Sequence, residues 1–426
     1  MSDTGLTPSE QRVLEHLDED ALVDRLARLV RVPSVSGTTG EVEVVEVAAG
    51  MLADAGMQVD HWEVDLDELS ADPWFPGAEV ERDQAFGLAA VSAGDETPAL
   101  VLQGHLDVVP PGDPETWGGS DPFSAEVFQG RLYGRGACDM KAGFAASVAV
   151  LETLRAAGVR LERPLAVHGV IGEEDGGLGA FATLRRGHRA EAAVITEPTG
   201  GKLVVANAGA LTFRIEVPGR SAHGSMRLNG RSAFEAFLPL HAALLELEAD
   251  RNAVVDPLFG EERLPYALSI GMVSTGDWAS SVPDRLVAEG RYGVLLGEEP
   301  QAARSAFEDV VAETSLKDEW LRDHRPVVTW PGGQFGSGRL DPEHPLVGEV
   351  SQAAVDTGAP RPHVGAEVYG SDLRLYSGIG GIPTLHYGPG DPLQAHAPLE
   401  HVEIADVVAV TRALLVLAIR RCGVAG

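Results

Sequence analysis

Five side chains that can bind a metal ion follow predicted strands or Gly-rich turns along this sequence. They are His105, Asp139, Glu174, Glu197 and His396. Imidazole and carboxylate groups are ligands that Zn²⁺ and similar ions accept. Two histidines and three carboxylates suit two such ions with one carboxylate bridging them. Two ions about 3.5–4 Å apart can share a water, lower its pKa toward about 7 and polarise a carbonyl group.

Two neighbouring residues can support this chemistry. His105 and Asp107 stand two apart at a strand end, so their side chains leave on the same face, and a carboxylate can hold the imidazole in its metal-binding tautomer. Glu173 precedes Glu174 in a Gly-rich turn, so one carboxylate can bind metal while the other stays free as a general base. The plainer alternatives are a surface His–Asp pair and a charged turn.

The elements that must position these residues are short apolar strands alternating with helices. Strands are predicted near 98–104, 164–171 and 192–195, with helices at 141–157 and from the Gly-rich turn to about 186. This alternation predicts βαβ units and an α/β domain with a mainly parallel sheet covered by helices on both faces. Functional groups then gather at the carboxyl ends of the strands.

Flanking segments complete the predicted catalytic domain. Helices are expected at about 8–32, 40–56, 345–357 and 402–422, a strand pair near 58–65, and strands near 87–92, 363–368 and 383–387.

The pattern changes from about residue 204. Leu211–Val217 alternates apolar and polar residues, as a half-exposed strand does. The order of predicted elements there is β-α-β-β-α-β, which is that of a ferredoxin-like layer. The sequence therefore predicts a catalytic domain made of 1–203 and 340–426, with an inserted domain at 204–339. One edge of the inserted sheet could pair with another copy.

Composition narrows the classes of function. The chain has 426 residues, which predicts more than one domain, and a formal net charge of −31, which argues against nucleic acid and anionic membranes as partners. Cys138 and Cys422 give no disulfide framework. The acidic N-terminal stretch lacks a signal region and no run of about 18 apolar residues occurs, so we expect a cytoplasmic protein.

Five motifs in order carry a resemblance to a known family. They are His105-x-Asp107, Gly136-Ala-Cys-Asp139-Met-Lys, Gly172-Glu-Glu174, Glu197-Pro198 and His396-x-Pro-x-Glu400. The sequence resembles the M20 amidohydrolases with two zinc ions, which include acetylornithine deacetylase, succinyl-diaminopimelate desuccinylase, aminoacylase-1 and glutamate carboxypeptidase. The resemblance covers nearly the whole chain, including the inserted domain, which in that family is a lid and dimerisation domain.

The resemblance implies two divalent ions, with Zn²⁺ favoured and Co²⁺ or Mn²⁺ as alternatives. The resemblance implies that His105 and Glu197 bind one ion, that Glu174 and His396 bind the other, and that Asp139 bridges the two. It also implies that Asp107 orients His105 and that Glu173 acts as general base and acid.

The resemblance also implies roles in substrate binding. His223 matches the family histidine that steadies the oxyanion, commonly in the active site of the partner subunit, so a homodimer is expected. Arg374 and Arg291 are candidates for a fork on a substrate carboxylate, with a surface ion pair as the alternative. Where many relatives have Asn-Val-Ile-Pro in the lid, this chain has Ser280-Ser-Val-Pro283, so the asparagine contact is missing.

The implied reaction is metal-dependent hydrolysis of the amide bond of an N-acyl amino acid, with Glu173 as base toward a water that bridges the ions. Thr196-Glu-Pro-Thr199 resembles the branch that contains acetylornithine deacetylase and the desuccinylases. A di- or carboxypeptidase, a deformylase and a desuccinylase remain alternatives, and a non-catalytic binding protein is a remote one. A nucleotide-binding enzyme is disfavoured because the turn at 172–179 lacks the Lys-Ser/Thr of a P-loop.

Overall fold

The computed structural model describes residues 5–92, 94 and 96–425. The helices are α1 (Pro8–Leu14), α2 (Glu19–Val30), α3 (Thr39–Asp54), α4 (Leu66–Ser70), α5 (Ala142–Ala156), α6 (Leu178–Arg185), α7 (Ala233–Arg251), α8 (Pro300–Lys317), α9 (Pro345–Asp356) and α10 (Ile404–Cys422).

Most strands follow the predicted positions, and several more are present that the sequence pattern does not indicate. The predicted strand pair near 58–65 is wrong, because that stretch forms one strand, which pairs with residues 86–91. They are β1 (Gln58–Glu63), β2 (Phe86–Val91), β3 (Leu100–His105), β4 (Glu126–Phe128), β5 (Arg131–Tyr133), β6 (Leu165–Val170), β7 (Ala193–Pro198), β8 (Leu203–Asn207), β9 (Gly209–Pro218), β10 (Ala222–His223), β11 (Leu268–Thr275), β12 (Ser281–Val282), β13 (Arg285–Val294), β14 (Val327–Thr329), β15 (Gln334–Phe335), β16 (Gly338–Arg339), β17 (Val364–Glu367), β18 (Thr384–Gly388) and β19 (His401–Glu403).

The chain divides into two compact units. The first comprises 1–206, 339–365 and 372–426, and the second comprises 207–338 and 366–371. The short segment 366–371 therefore belongs with the inserted part of the chain, although nothing in its sequence pattern separates it from its neighbours.

The first unit is built on a large mixed sheet with the order β1-β2-β6-β3-β7-β18-β8-β16 and with β17 beside β8. Its centre is parallel, because β3 runs parallel to β6 and β7, and β18 runs parallel to β7. Strands β3, β6 and β7 are buried along their whole length, and helices α3, α5, α6 and α10 pack against the sheet. The predicted α/β class with a mainly parallel sheet is confirmed.

The prediction of one helix over 8–32 is wrong, because two helices occupy that stretch. Thr7 caps α1 through a capping box with Glu10, and α1 ends at Leu14. Asp18 then accepts a hydrogen bond from the amide of Ala21 and starts α2. An aspartate at the N-cap satisfies an amide that has no partner within the helix, so it favours a new start over continuation.

The second unit is a ferredoxin-like layer. Its main sheet has the antiparallel order β11-β13-β9-β14, and α7 and α8 supply side chains to a common core with it. Burial alternates along β9, where Leu211, Phe213, Ile215 and Val217 are all inside. Strand β11 forms an edge of this sheet and is largely exposed. Over the residues that the structure describes, no helix is both long and apolar enough to cross a membrane.

Candidate metal centre

Parallel strands bring most of the candidate ligands to one edge of the first unit's sheet. His105 is the last residue of β3, Glu197 lies near the end of β7, and the turn after β6 carries Glu173 and Glu174. Since β6, β3 and β7 are parallel neighbours, their carboxyl ends meet there. Asp139 lies in an irregular turn, 137–141, immediately before α5, and its own backbone angles (φ −112°, ψ 98°) are not helical.

The five candidate ligands form a continuous chain of short contacts. The Nε2 atom of His105 lies 3.1 Å from Oδ1 of Asp139 and 3.7 Å from Oε1 of Glu197. The Nε2 atom of His396 lies 3.4 Å from Oδ2 of Asp139 and 3.0 Å from Oε2 of Glu174. Asp139 therefore contacts both imidazoles, one with each carboxylate oxygen, and it occupies the middle of the cluster.

Among the residues that the structure describes, two overlapping sets of ligand atoms are close enough to hold an ion. One set is His105, Glu173 and Glu197, and the other is His105, Asp139 and Glu174. Glu173, the candidate general base, is thus itself a member of the first set.

Asp107 orients His105 through its backbone carbonyl oxygen, and not through its carboxylate as the sequence spacing predicts. The Nδ1 atom of His105 lies 2.9 Å from the backbone carbonyl oxygen of Asp107 and 3.7 Å from the nearer carboxylate oxygen. The Asp107 carboxylate instead accepts hydrogen bonds from the amides of Glu173 and Glu174, both at 3.3 Å, and from the Ser36 hydroxyl at 3.1 Å. The backbone of Asp107 orients the imidazole, and its side chain holds the turn that carries the two glutamates.

Burial shapes the protonation of the acidic residues in the cluster. Desolvation raises the pKa of Glu173 and of Glu197 well above the usual range for glutamate, and it also raises the pKa of Glu174. At Asp139 desolvation also acts to raise the pKa, but hydrogen bonds from His105 and His396 prevail and lower it.

The donor set fits divalent cations. Burial alone would lower the pKa of His105, yet Glu197 and Asp139 raise it well above the ordinary histidine value. Hydrogen bonds to Asp139 and Glu174 raise the pKa of His396 to about 10. Four largely buried carboxylates thus share two imidazoles, of which His105 is buried and His396 is about half exposed, and uncompensated buried charge is costly. Divalent ions would supply the missing positive charge.

Arg374 is buried beneath the turn that carries Glu173. Its Nη2 donates to the carbonyl oxygen of Gly176 at 2.5 Å. Gly176 and Gly177 both have positive φ values, of 150° and 88°, which a side chain would strain. The guanidinium is in contact with the protein's own backbone, in the loop that presents the two glutamates.

A second arginine, Arg82, which the sequence pattern does not indicate, holds the same loop. Arg82 donates two hydrogen bonds to Glu41 and two to Asp175, each at 2.8 Å, and all three side chains are buried. Asp175 directly follows Glu174, so this arginine anchors the glutamate turn. Arg82 lies in a Pro- and Asp-rich loop with no periodic pattern, so the sequence alone carries no signal for it.

The other two substrate-binding candidates lie in the second unit. Arg291 is on β13, and its Nη2 donates to the carbonyl oxygen of Val368 at 2.6 Å, which ties the 366–371 segment to the sheet. His223 ends the short strand β10 and is exposed; its Nδ1 accepts a hydrogen bond from the amide of Ser225 at 3.2 Å.

A parallel α/β sheet with a histidine–carboxylate cluster at its strand ends is an arrangement shared with metallohydrolases. Comparison with known families gives a match to Peptidase family M20/M25/M40 over residues 101–420. Because that match covers most of the sequence, the chain belongs to this family of metallohydrolases. The resemblance stated from the motifs, and the assignment as an M20-type hydrolase, are confirmed.

Individual relatives differ in their reactions. The chain is 28% identical to N-formyl-4-amino-5-aminomethyl-2-methylpyrimidine deformylase from Bacillus subtilis (strain 168), over 97% of each chain. It is 29% identical to acetylornithine deacetylase from Edwardsiella ictaluri (strain 93-146), over 91% of this chain and 94% of the relative. The dipeptidase Dug1p from Saccharomyces cerevisiae has the same fold, with a TM-score of 0.75 at 14% identity over 98% of this chain and 99% of the other.

Proposed function

We propose that this chain hydrolyses the amide bond of an N-acyl amino acid, using two divalent metal ions, with Zn²⁺ favoured. The observation that carries the proposal is the convergence of five candidate ligands with a buried glutamate, Glu173, on one edge of the sheet. The full-length similarity to a deformylase and a deacetylase supports an acyl amide as the substrate.

The residues would share the ions as follows: His105 and Glu197 on one, Glu174 and His396 on the other, and Asp139 on both. Such ions, when bound, lower the pKa of water and polarise a carbonyl group.

Glu173 is the proposed general base and acid. Desolvation raises the pKa of its carboxyl group, which suits a group that must take up a proton and later release it. In the proposed reaction a Glu173 carboxylate oxygen accepts the proton of the attacking water and then gives it to the leaving amine nitrogen. The Asp107 carboxylate and Arg374 hold the turn that positions this glutamate. We assign Arg374 to that role, because its guanidinium donates to the protein's own backbone. His223 is proposed to steady the oxyanion in the active site of the partner subunit.

A deformylase is the second candidate, and the similarity to the Bacillus subtilis enzyme over 97% of both chains favours it. Both candidate reactions would use the same proposed residues, because a formamide and an acetamide differ only in the substituent on the acyl carbon, which is hydrogen in one and methyl in the other. A di- or carboxypeptidase also fits the cluster.

Turnover of a matched panel tests the proposal. Formyl-, acetyl- and succinyl-amino acids would be compared with dipeptides, using protein whose metal content has been measured. We expect hydrolysis of at least one N-acyl amino acid, and a loss of kcat by several powers of ten in Glu173→Gln with metal content unchanged. Wild-type turnover in that variant would refute the assignment of the base. If the metal-loaded chain cleaved dipeptides alone, the substrate class would be wrong.

A homodimer formed through the second unit is part of this proposal. The edge strand β11 exposes Met272 and Val273, and α7 exposes Phe234 and Leu238. An exposed edge strand offers unpaired backbone groups to a second copy, and large exposed apolar side chains are unusual away from interfaces.

Light scattering at several protein concentrations measures this association. We expect a dimer for the wild type and a monomer for Val273→Pro, since proline cannot donate to a shared ladder. The matched control is Val254→Pro, at an exposed position outside the strands. A monomeric wild type would refute the dimer without touching the hydrolase assignment.

A further inference from the structure

One buried ion pair joins two parts of the chain that carry candidate metal ligands. Arg135 and Glu400 are 265 positions apart in the sequence, yet Nη1 of the arginine lies 2.5 Å from Oε2 of the glutamate. Their side chains are 3% and 0% exposed. Asp139 follows the arginine by four positions and His396 precedes the glutamate by four, so each partner lies close to one candidate ligand.

The second oxygen of Glu400 fixes the backbone at Asp139. Oε1 accepts hydrogen bonds from two consecutive amides, those of Cys138 at 2.9 Å and Asp139 at 3.0 Å. Gly136 precedes them with φ +82°, and a Cβ there would lie 2.5 Å from a methyl carbon of Val108. Val108 therefore packs against the turn, and the Glu400 carboxylate holds its backbone amides. Together these contacts fix the position of the Asp139 backbone, from which its side chain extends.

Arg135 fixes the other ligand segment. Its Nη2 donates to the backbone carbonyl oxygen of His396 at 3.2 Å. His396 and Leu399 adopt φ values of +59° and +57°, in the left-handed region that non-glycine residues seldom occupy. Such a backbone persists only where its surroundings hold it. The arginine is one of the contacts that hold it.

We propose that Arg135 and Glu400 are positioning residues that set Asp139 and His396 at the separation that one shared metal ion requires. This inference rests on the proposed function, because it assumes that these two side chains bind metal. Asp139 and His396 contact each other through one approach, of 3.4 Å, between Oδ2 of the aspartate and Nε2 of the histidine. The contacts that the ion pair makes to their backbones therefore add a constraint that the ligand side chains do not provide. Partners outside the ligand set commonly orient ligands and tune affinity in this way.

Conservative variants separate positioning from general stability. Glu400→Gln keeps the shape and one acceptor oxygen but removes the charge, and Arg135→Lys keeps the charge but removes the fork. Glu10→Gln is the matched control, since Glu10 is also buried, accepts a backbone amide and pairs with a distant arginine, Arg420, but touches none of the candidate ligands.

Metal binding is measured by titrating metal-free protein with Co²⁺ and Zn²⁺, with kcat and KM determined on loaded protein. In both variants we expect affinity for the ion assigned to Glu174 and His396 to fall at least tenfold, because both Asp139 and His396 are displaced, and affinity for the other ion to fall less, because that ion keeps His105 and Glu197; kcat should fall with KM within about twofold. Glu10→Gln should lower thermal stability without changing either affinity.

Unchanged affinities for both ions in the two variants would overturn the proposal. It would also be overturned if Glu10→Gln weakened metal binding equally, because the effect would then follow stability alone. Wild-type protein that bound no divalent ion would instead refute the metal-dependent function on which the inference rests. If Glu400→Gln does not fold, Arg135→Lys still decides between these outcomes.

Discussion

Arg82 offers the sharpest test of how the glutamate turn is held. Its guanidinium makes four hydrogen bonds of 2.8 Å to Glu41 and Asp175, and the three side chains are 2%, 1% and 5% exposed. Replacing it by methionine keeps much of the volume but leaves two carboxylates buried without their cation. Such a loss is expected to lower the free energy of unfolding by about 3–5 kcal/mol.

The pH dependence of that loss follows from Glu41. Desolvation raises the pKa of Glu41 to about 7, against the opposing hydrogen bond from Arg82. Without the arginine, this pKa rises further in the folded state, while the unfolded value does not change. Between pH 6 and pH 8 the folded variant therefore keeps a proton on Glu41 that the unfolded chain has already lost, so the stability of the variant falls as pH rises. In the folded wild type Glu41 releases this proton near pH 7, so the stability of the wild type falls less over the same range. Relative to the wild type, we expect the loss of free energy of unfolding in Arg82→Met to be about 1 kcal/mol larger at pH 8 than at pH 6.

Urea unfolding of metal-free protein at the two pH values measures both quantities. Arg131→Met is the control, because Arg131 pairs with Glu403 at the surface with side chains 42% and 51% exposed, and such pairs contribute about 0–1 kcal/mol. If Arg82→Met lost less than about 1 kcal/mol of unfolding free energy, or lost the same amount at both pH values, the stabilising role assigned to the buried Arg82 ion pairs would be refuted.

Three further predictions concern protonation, packing and metal. Burial lowers the pKa of His168 to about 3, so the unfolded chain takes up a proton below about pH 6.5 that the folded chain refuses, and wild-type stability falls with acid. In His168→Gln this part of the loss should disappear, about 2 kcal/mol between pH 7.5 and pH 5 in chemical unfolding; parallel curves for the two proteins would contradict it. Gly143→Ala should destabilise by at least about 1–3 kcal/mol, because its Cβ would lie 2.0 Å from the carbonyl oxygen of Thr196. Gly348→Ala, where no atom lies within 4 Å, should be neutral or stabilising by up to about 1 kcal/mol, and thermal unfolding compares the two. Excess chelator should abolish turnover and lower the midpoint of thermal unfolding, and added Zn²⁺ or Co²⁺ should restore both; turnover that survives complete metal removal would exclude a metal requirement.

Local periodicity accounts for most of the fold that the sequence predicts. The buried strands β3, β6 and β7 appear as short apolar runs, and β9 appears as strict alternation, because burial on two faces or on one leaves these patterns in the sequence. The break between α1 and α2 leaves no such pattern, because apolar residues continue at helical spacing across it while one aspartate cap decides the boundary.

The candidate ligands could be chosen from the sequence because each is a metal-binding side chain next to a strand end or a tight turn. The topology of a parallel sheet then places strand ends together, and the structure brings all five into contact. Asp139 and His396 do not follow this logic, since Asp139 lies in the turn before α5 and His396 in a loop far along the chain. Without the family motif the partners of His396 could not have been assigned.

Tertiary structure alone decided which polar groups support the cluster. The Asp107 carboxylate bonds the amides of the glutamate turn while its carbonyl faces His105, and Arg374 is turned toward a backbone carbonyl. Arg82 and Glu400 find partners tens to hundreds of residues away. Sequence by itself determined which side chains could do chemistry and on which elements they lie, because those properties are local. The partner of a buried charge depends on which distant segment supplies the opposite charge, and only the folded chain determines that.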